Sequence, residues 1–291
     1  MRFVIIGDMH FTLYDTEEGK TARDTFFSAL FARVAEQQAE LNFAVGDIVQ
    51  NGYPHEIQEL YDLAARYGVQ LISITGNHDI AVQPKSTLRA YFVAGKATGN
   101  ELYYAFSQGG VRFVLLDTGK ELVTDQDWGG YLSPEQLKWL ASETTAFRQN
   151  SSGDHTLVVM GHHPLSNTTS KSAKEMMNIA NSDEVRVALG PGIPGRTIYA
   201  CGHNHVNNIV GPDATGWTYL QSGAPLQSYS FRVVTADETG VKVETVDFGL
   251  DDETVKAAVP VILTVFEHFS DDPLEVASGT SSDREWSYRA S

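Results

Sequence analysis

A single cysteine, Cys201, stands among 291 residues, which excludes an intramolecular disulfide framework and suits a reducing compartment. No stretch of about 18 apolar residues occurs, so no membrane span is expected. The opening MRFVIIGDMH has an apolar run, Phe3 to Ile6, that is too short for a secretory signal, and the expected location is cytoplasmic. Basic side chains are scarce: 21 Lys and Arg face 37 Asp and Glu, for a net charge of −16. That deficit argues against long nucleic acid as a partner, because it supplies no broad phosphate-tracking surface. It leaves open a small anionic substrate in a local pocket. What is present suffices for a full core, with 42% hydrophobic and 10% aromatic residues, in one or two domains. Nine histidines are also present, and six of them fall in four short motifs.

The pattern along the chain is that of an α/β protein. Short β-branched runs at Arg2 to Ile6, Leu41 to Val45 and Val69 to Thr75 predict buried strands. Apolar residues at helical spacing between them predict helices over Thr21 to Glu40 and Pro54 to Tyr67, the second with Pro54 in its first turn. This alternation points to parallel pairing. Further strands are predicted at Arg112 to Leu116, Thr156 to Met160 and Arg196 to Ala200, and a helix over Ser133 to Phe147 with Ser133 as N-cap. Trp217 to Gln221, Ser228 to Thr235 and Val241 to Val246 read as consecutive antiparallel strands, the last two joined by a turn at Asp237 to Gly240. Asp252 to Phe269 reads as a helix interrupted at Pro260. Ser270 to Ser291 reads as an acidic, Ser-rich and poorly ordered tail.

The polar residues at the strand ends carry the chemistry. They are Asp8 and His10, Asp47, Asn77 with His78 and Asp79, His162 with His163, and His203 with His205. Any one of them alone is as well explained by a turn or a hydrogen-bonded core histidine. Together they put oxygen or imidazole groups on five strand termini, and α/β sheets gather such termini along one edge. Imidazole, carboxylate and amide oxygen suit divalent Mn, Fe or Zn, and thiolates are absent from the set. Asp8 and His10 can reach one ion, His203 and His205 could approach two neighbouring ions, and Asp47 is the natural bridge. Two ions about 3.5–4 Å apart would lower the pKa of a shared water and hold phosphate oxygens.

The ordered blocks Asp8-x-His10, Gly46-Asp47, Gly76-Asn77-His78-Asp79, Gly161-His162 and Gly202-His203-x-His205 resemble those of the calcineurin-like metallophosphoesterases. The stretches from Leu116 to Gly119 and from Gly130 to Leu140 are similar to the bacterial cyclic-nucleotide and glycerophosphodiester phosphodiesterase branch. The resemblance implies a four-layer αββα sandwich of two mixed sheets, with the late antiparallel strands in the second sheet and the site at the strand ends. It implies a catalytic domain over 1–249, a helical extension over 250–269 and the tail over 270–291. It assigns Asp8, His10 and His205 to a first metal, Asn77, His162 and His203 to a second, and Asp47 to both. His78 would donate a proton to the leaving oxygen, and Asp79 would orient His78 by accepting its other N–H. The implied reaction is hydrolysis of a small phosphodiester, such as a cyclic nucleotide or a glycerophosphodiester, by a metal-bound hydroxide. The same metal core would serve a phosphomonoesterase or a nucleotide pyrophosphatase. A non-catalytic scaffold would be expected to lack ligands or the Asn-His histidine, and this chain has both.

The remaining candidates carry less. His163 is open between a supporting and a substrate-facing place. Lys171 and Lys174 read as a solvated face, His55, His155 and His268 as surface, and Cys201 as a small core residue. Gly76, Gly161 and Gly202 are expected to allow sharp turns. The apolar stretch Ala257 to Phe269 could pack on the core or on a second copy, which leaves a homo-oligomer open. Asp251 to Ser291 holds nine acidic and three basic residues, so much of the negative charge lies away from the proposed site.

Overall fold

A computed structural model describes residues 1–93, 101–120, 127–150, 153–266, 269 and 271–289. His268 and positions 121–126 of the loop after Gly119 lie outside the described residues. In chain order the first half contains β1 (Arg2–Ile6), α1 (Glu17–Ala35), β2 (Leu41–Val45), α2 (Pro54–Arg66), β3 (Leu71–Ile74), α3 (Lys85–Phe92), β4 (Tyr104–Gln108), β5 (Val111–Leu115) and α4 (Pro134–Arg148). The second half contains β6 (Thr156–Met160), α5 (Ser182–Leu189), β7 (Thr197–Cys201), β8 (Asn208–Val210), β9 (Thr218–Gln221), α6 (Pro225–Ser228), β10 (Ser230–Asp237) and β11 (Gly240–Asp247). The chain then closes with α7 (Glu253–Leu263), α8 (Leu274–Ala277), α9 (Ser281–Arg284) and β12 (Glu285–Arg289).

The strands form two six-stranded mixed sheets, ordered β12-β11-β10-β1-β2-β3 and β4-β5-β6-β7-β9-β8. β1, β2 and β3 run parallel, as do β5, β6, β7 and β9. Side-chain alternation decides how the layers pack. On β5 to β7, Phe113, Leu115, Val158, Met160, Ile198 and Ala200 face the other sheet and join its core. Their neighbours Val114, Leu157, Val159, Tyr199 and Cys201 face outward into a second core with Leu140 and Phe147 of α4 and Val185 of α5. Phe113 is 5.2 Å from Phe3 and 4.9 Å from Phe43 between ring centroids, which ties the two sheets face to face. On the far side of the first sheet, Phe26, Phe27, Leu30, Phe31 and Val34 of α1 are buried, and α7 packs along α1. The result is the expected α/β sandwich of two mixed sheets between helices.

Local signals account for several elements. Ser133 Oγ accepts the Gln136 amide at 3.2 Å and caps α4. The side chain of Gln136 instead clamps both main-chain groups of Asp117, which holds the loop after β5. The turn between β10 and β11 falls where expected, with Asp237 Oδ1 accepting the amides of Thr239 and Gly240.

Three expectations are corrected. β9 is not part of an antiparallel run with β10. It lies in the second sheet, parallel to β7, while β10 and β11 extend the first sheet antiparallel to β1. Alternation fixes which face of a strand is apolar, not which sheet receives it. The Pro260 position does not interrupt α7, which ends at Leu263 rather than reaching Phe269. The described part of the tail, residues 271–289, carries regular structure. β12 pairs with β11, placing Trp286 opposite Val243 and Tyr288 opposite Val241. The alternation Glu-Trp-Ser-Tyr-Arg is a strand signal hidden inside a polar composition.

Candidate metal centre

Five of the parallel strands, β1, β2, β3, β6 and β7, deliver ligand-type residues through the turns that follow them. Asp8, His10, Asp47, His203 and His205 all sit at positive φ, between 37° and 69°. Such backbone is costly for non-glycine residues and persists where the surroundings impose it. The structure therefore spends conformational strain on the same five side chains that the motifs single out. The glycines beside them act by close approach. A Cβ on Gly76 would lie 2.2 Å from Asp47 Oδ1, and one on Gly202 would lie 2.6 Å from Asp8 Oδ2. Gly76, Gly161 and Gly202 are not among the glycines at positive φ, so the expected sharp-turn role falls instead to Gly46, at φ 87°.

All seven residues expected to bind metal come together. His10 Nε2 and His205 Nε2 are 3.0 Å apart, with Asp8 Oδ1 4.0 Å from His205 Nε2. His162 Nε2 lies 3.1 Å from Asn77 Oδ1 and 3.2 Å from His203 Nδ1. Between these groups, Asp47 Oδ2 is 3.2 Å from His162 Nε2 and 3.9 Å from His10 Nε2. The outer nitrogen of every one of these imidazoles donates to a carbonyl-type oxygen. His10 Nδ1 donates to Gln50 Oε1 (2.9 Å) and His205 Nδ1 to Gln227 Oε1 (3.0 Å). His162 Nδ1 donates to the Val45 carbonyl (2.9 Å) and His203 Nε2 to that of Met176 (2.9 Å). Those bonds turn each inner ring nitrogen toward the cluster, where a bound cation would take its lone pair.

The carboxylates follow the same plan. Asp8 Oδ1 accepts the His203 amide at 2.7 Å, and Asp47 Oδ1 accepts that of His78 at 2.8 Å. Asp8 Oδ2 is buried and has no hydrogen-bond partner among the described residues. Bare imidazole lone pairs facing each other beside an orphaned carboxylate oxygen are what a cation would satisfy, and the donor set fits two divalent ions. Without them the charges are poorly matched. Burial pushes the Asp8 carboxyl up to about 8, with the Asp47 charge adding to the shift against an opposing pull from His162. Burial works against protonation of His162, but Asp47 and Asp8 outweigh it and lift the imidazole to about 9. Burial holds His203 down to about 3 and His205 to about 4, so both stand neutral as ligands do at pH 7.

Around the cluster lies a cavity of about 610 Å³, lined by Asp47, Gln50, Asn51, Asn77, His78, Trp128, Met177, His203, His205 and Val265. His78 stands at its wall with Nδ1 donating to the Gln50 carbonyl at 2.9 Å. This corrects the place expected for Asp79. Its fully buried carboxylate accepts the amides of Gly76 (2.8 Å) and Val49 (3.1 Å), and so braces the turn rather than the His78 ring. Gln50 was not singled out by the motifs. Its side chain backs His10 and its carbonyl backs His78, and neither duty leaves a residue-type signature. Lys171, expected on a solvated face, is half-buried and paired with Asp272, whereas Lys174 is exposed. His55 is exposed and stacks on Tyr53. Cys201 is fully buried, and burial drives its thiol pKa far upward.

This fold, with its His, Asp and Asn side chains gathered at the parallel strand ends, defines a metal-binding hydrolase of the two-sheet α/β class. Residues 1–207 match the model of the calcineurin-like phosphoesterases, and the chain belongs to that family. Over 165 residues it is 28% identical to a 3′,5′-cyclic-nucleotide phosphodiesterase from Nostoc sp., a match that covers 55% of this chain and 56% of that protein. The chain thus spans about half the length of that curated relative. Among solved structures, a dimetal phosphatase from Danio rerio shares the fold with a TM-score of 0.66 at 15% identity, over 85% of this chain and 97% of the other. GAP50, the anchor in the inner membrane complex of Plasmodium, shares it with a TM-score of 0.52 at 13% identity, over 88% of this chain and 86% of the other. No described helix is long and apolar enough to cross a membrane.

Proposed function

We propose that the chain is a dinuclear metal-dependent hydrolase of a small phosphodiester, such as a cyclic nucleotide or a glycerophosphodiester. The observation that carries this reading is the convergence of seven ligand-type side chains on one cluster beside the cavity, with the outer nitrogens of its four imidazoles already hydrogen-bonded. Asp8, His10 and His205 would hold one ion, Asn77, His162 and His203 a second, and Asp47 both; Mn, Fe or Zn would fit. Bound there, two divalent ions would supply Lewis acidity to the phosphate and an activated water at neutral pH.

The chain's own residues do the rest. The carbonyls behind the imidazoles fix ring orientation before substrate arrives, so no reorganisation is needed during the reaction. With Nδ1 committed to the Gln50 carbonyl, His78 has Nε2 left to pass a proton to the leaving oxygen. Among the described residues no Lys or Arg lines the cavity. A monoanionic diester therefore meets a better charge balance than a dianionic monoester, since Asp8 and Asp47 already offset about half of the charge of two divalent ions. Met177 and Val265 offer apolar walls for one organic arm. The name of the Nostoc relative agrees with the diester preference.

The test is turnover of bis-p-nitrophenyl phosphate and of a 3′,5′-cyclic nucleotide by protein supplied with Mn. Hydrolysis with kcat/KM greater on diesters than on p-nitrophenyl phosphate is expected. A reversed ratio would favour a phosphomonoesterase, and no turnover with Mn, Fe, Zn or Co would refute the reading. His78→Ala is expected to keep its metal and lose about 10²–10⁴ in kcat on esters with poor leaving groups.

A further inference from the structure

We infer that Trp128 is a positioning residue that holds the His78 imidazole in line for proton transfer; this rests on the reading of His78 as the proton donor. The hydrogen bond from Nδ1 to the Gln50 carbonyl fixes one corner of the ring but leaves it free to pivot about that bond. A flat neighbour removes the pivot. The Trp128 indole lies 5.7 Å from the His78 ring between centroids and is inclined to it by only 25°. On another side, His10 meets the same ring edge-on at 4.8 Å. His78 is thus bracketed by a stack and an edge, and its remaining nitrogen is aimed rather than mobile.

Trp128 can do this because its own backbone is anchored. His163 Nε2 donates to the Trp128 carbonyl at 2.7 Å, and Thr118 Oγ1 donates to His163 Nδ1 at 2.8 Å. His163 is fully buried. A Cβ on Gly130 would come within 2.7 Å of its ring, so the Trp-Gly-Gly sequence admits the imidazole against the loop. The second histidine of the His162-His163 pair therefore has a defined duty. It is an anchor for the loop that carries Trp128, one step removed from substrate.

The test uses a series of aryl methyl phosphates of graded leaving-group pKa and the metal-loaded protein. Trp128→Ala is expected to lower kcat by about 10- to 100-fold on the poorest leaving group and little on nitrophenolate, with KM nearly unchanged. Trp128→Phe should restore most of the loss. Trp128→Leu, which keeps apolar bulk without a flat ring, should not, and it decides the matter if the alanine variant folds poorly. In the His78→Ala background the Trp128 change should cost nothing further. A readout independent of turnover is the His78 ring-proton resonance of the metal-free protein, assigned by its loss in His78→Ala. Removal of the indole should move it, and Trp128→Phe should preserve most of the ring-current shift. Equal losses across all leaving groups, full additivity with His78→Ala, or an unmoved resonance would each overturn the inference. If His78→Ala with Trp128 intact shows no leaving-group dependence, the donor reading itself fails and takes the inference with it.

Discussion

Gln50 shows how much of a metal centre is set by residues that bind nothing. Its amide oxygen accepts from His10 Nδ1, while its main-chain oxygen accepts from His78 Nδ1. The two duties separate cleanly under mutation. Gln50→Ala removes only the first and is expected to weaken metal binding by about 10- to 100-fold, as loss of such outer partners does. The leaving-group dependence assigned to His78 should persist, because the carbonyl remains. Metal titration followed by calorimetry, beside kinetics at saturating metal, would show it; a changed leaving-group dependence with intact metal binding would contradict the division. At this scale the sequence is legible where residue type carries the meaning. The seven ligand-type residues and His78 are all gathered, since Asp, His and Asn after a strand are visible as letters. The duties of Asp79 and Gln50 are not legible in this way, because Asp79 accepts from backbone amides and Gln50 holds His78 through its own carbonyl. Turn geometry decides such pairings, and no side-chain spacing encodes it.

Among elements, the C-terminal segment departs furthest from its sequence appearance. Asp283 Oδ1 accepts from Asn208 Nδ2 at 2.6 Å and from the Ile209 amide at 3.2 Å, while Oδ2 accepts the Thr280 amide at 2.9 Å. One carboxylate thus caps α9 and pins β8, and Arg284, which follows it, pairs with Asp247 at 2.7 Å. Asp283→Ala is expected to cost about 0.5–2 kcal/mol, the range for a lost side-chain cap. The sign with pH follows from its lowered pKa. Burial alone would raise it, but the hydrogen bonds from Thr280, Ile209 and Asn208 prevail. The contribution is present above the ordinary carboxylate value near 3.8 and is lost as pH falls through the lower, folded value. Denaturant unfolding at pH 7 and near pH 3 should therefore show a gap between variant and parent that closes in acid. A gap that widens in acid would refute the assignment. Three strands, β1, β2 and β6, are legible to the residue, because each is a short continuous apolar run between turn signals. β8 and β12 are not, being an edge strand of three residues and an alternating segment inside a polar tail.

For the molecule as a whole, two sheets are packed so that their parallel strands end at one buried cluster of charge. That cluster ought to make stability depend on metal and on pH together. In metal-free protein, burial lifts Asp8 to about 8, and neighbouring carboxylates lift His162 to about 9. Both groups hold protons in the folded state that the unfolded chain has released, so stability falls as pH rises from 6.5 to 8. The neutral His203 and His205 act in the opposite direction only below about 6.5. The Tm of chelator-stripped protein should accordingly drop between pH 6.5 and 8, and Mn should raise it most at pH 8. A Tm that climbs with pH across that window would contradict the assignment. The fold class and the edge that carries the site were legible from alternation and motif order, whereas the seating of β9 and β10 in different sheets depends on long-range packing. The most direct test of the central claim is an anomalous-scattering map from crystals of Mn-loaded protein. Two peaks about 3.5–4 Å apart are expected, one among Asp8, His10 and His205 and one among Asn77, His162 and His203, with Asp47 between them. A single peak, or none within this cluster, would contradict the account.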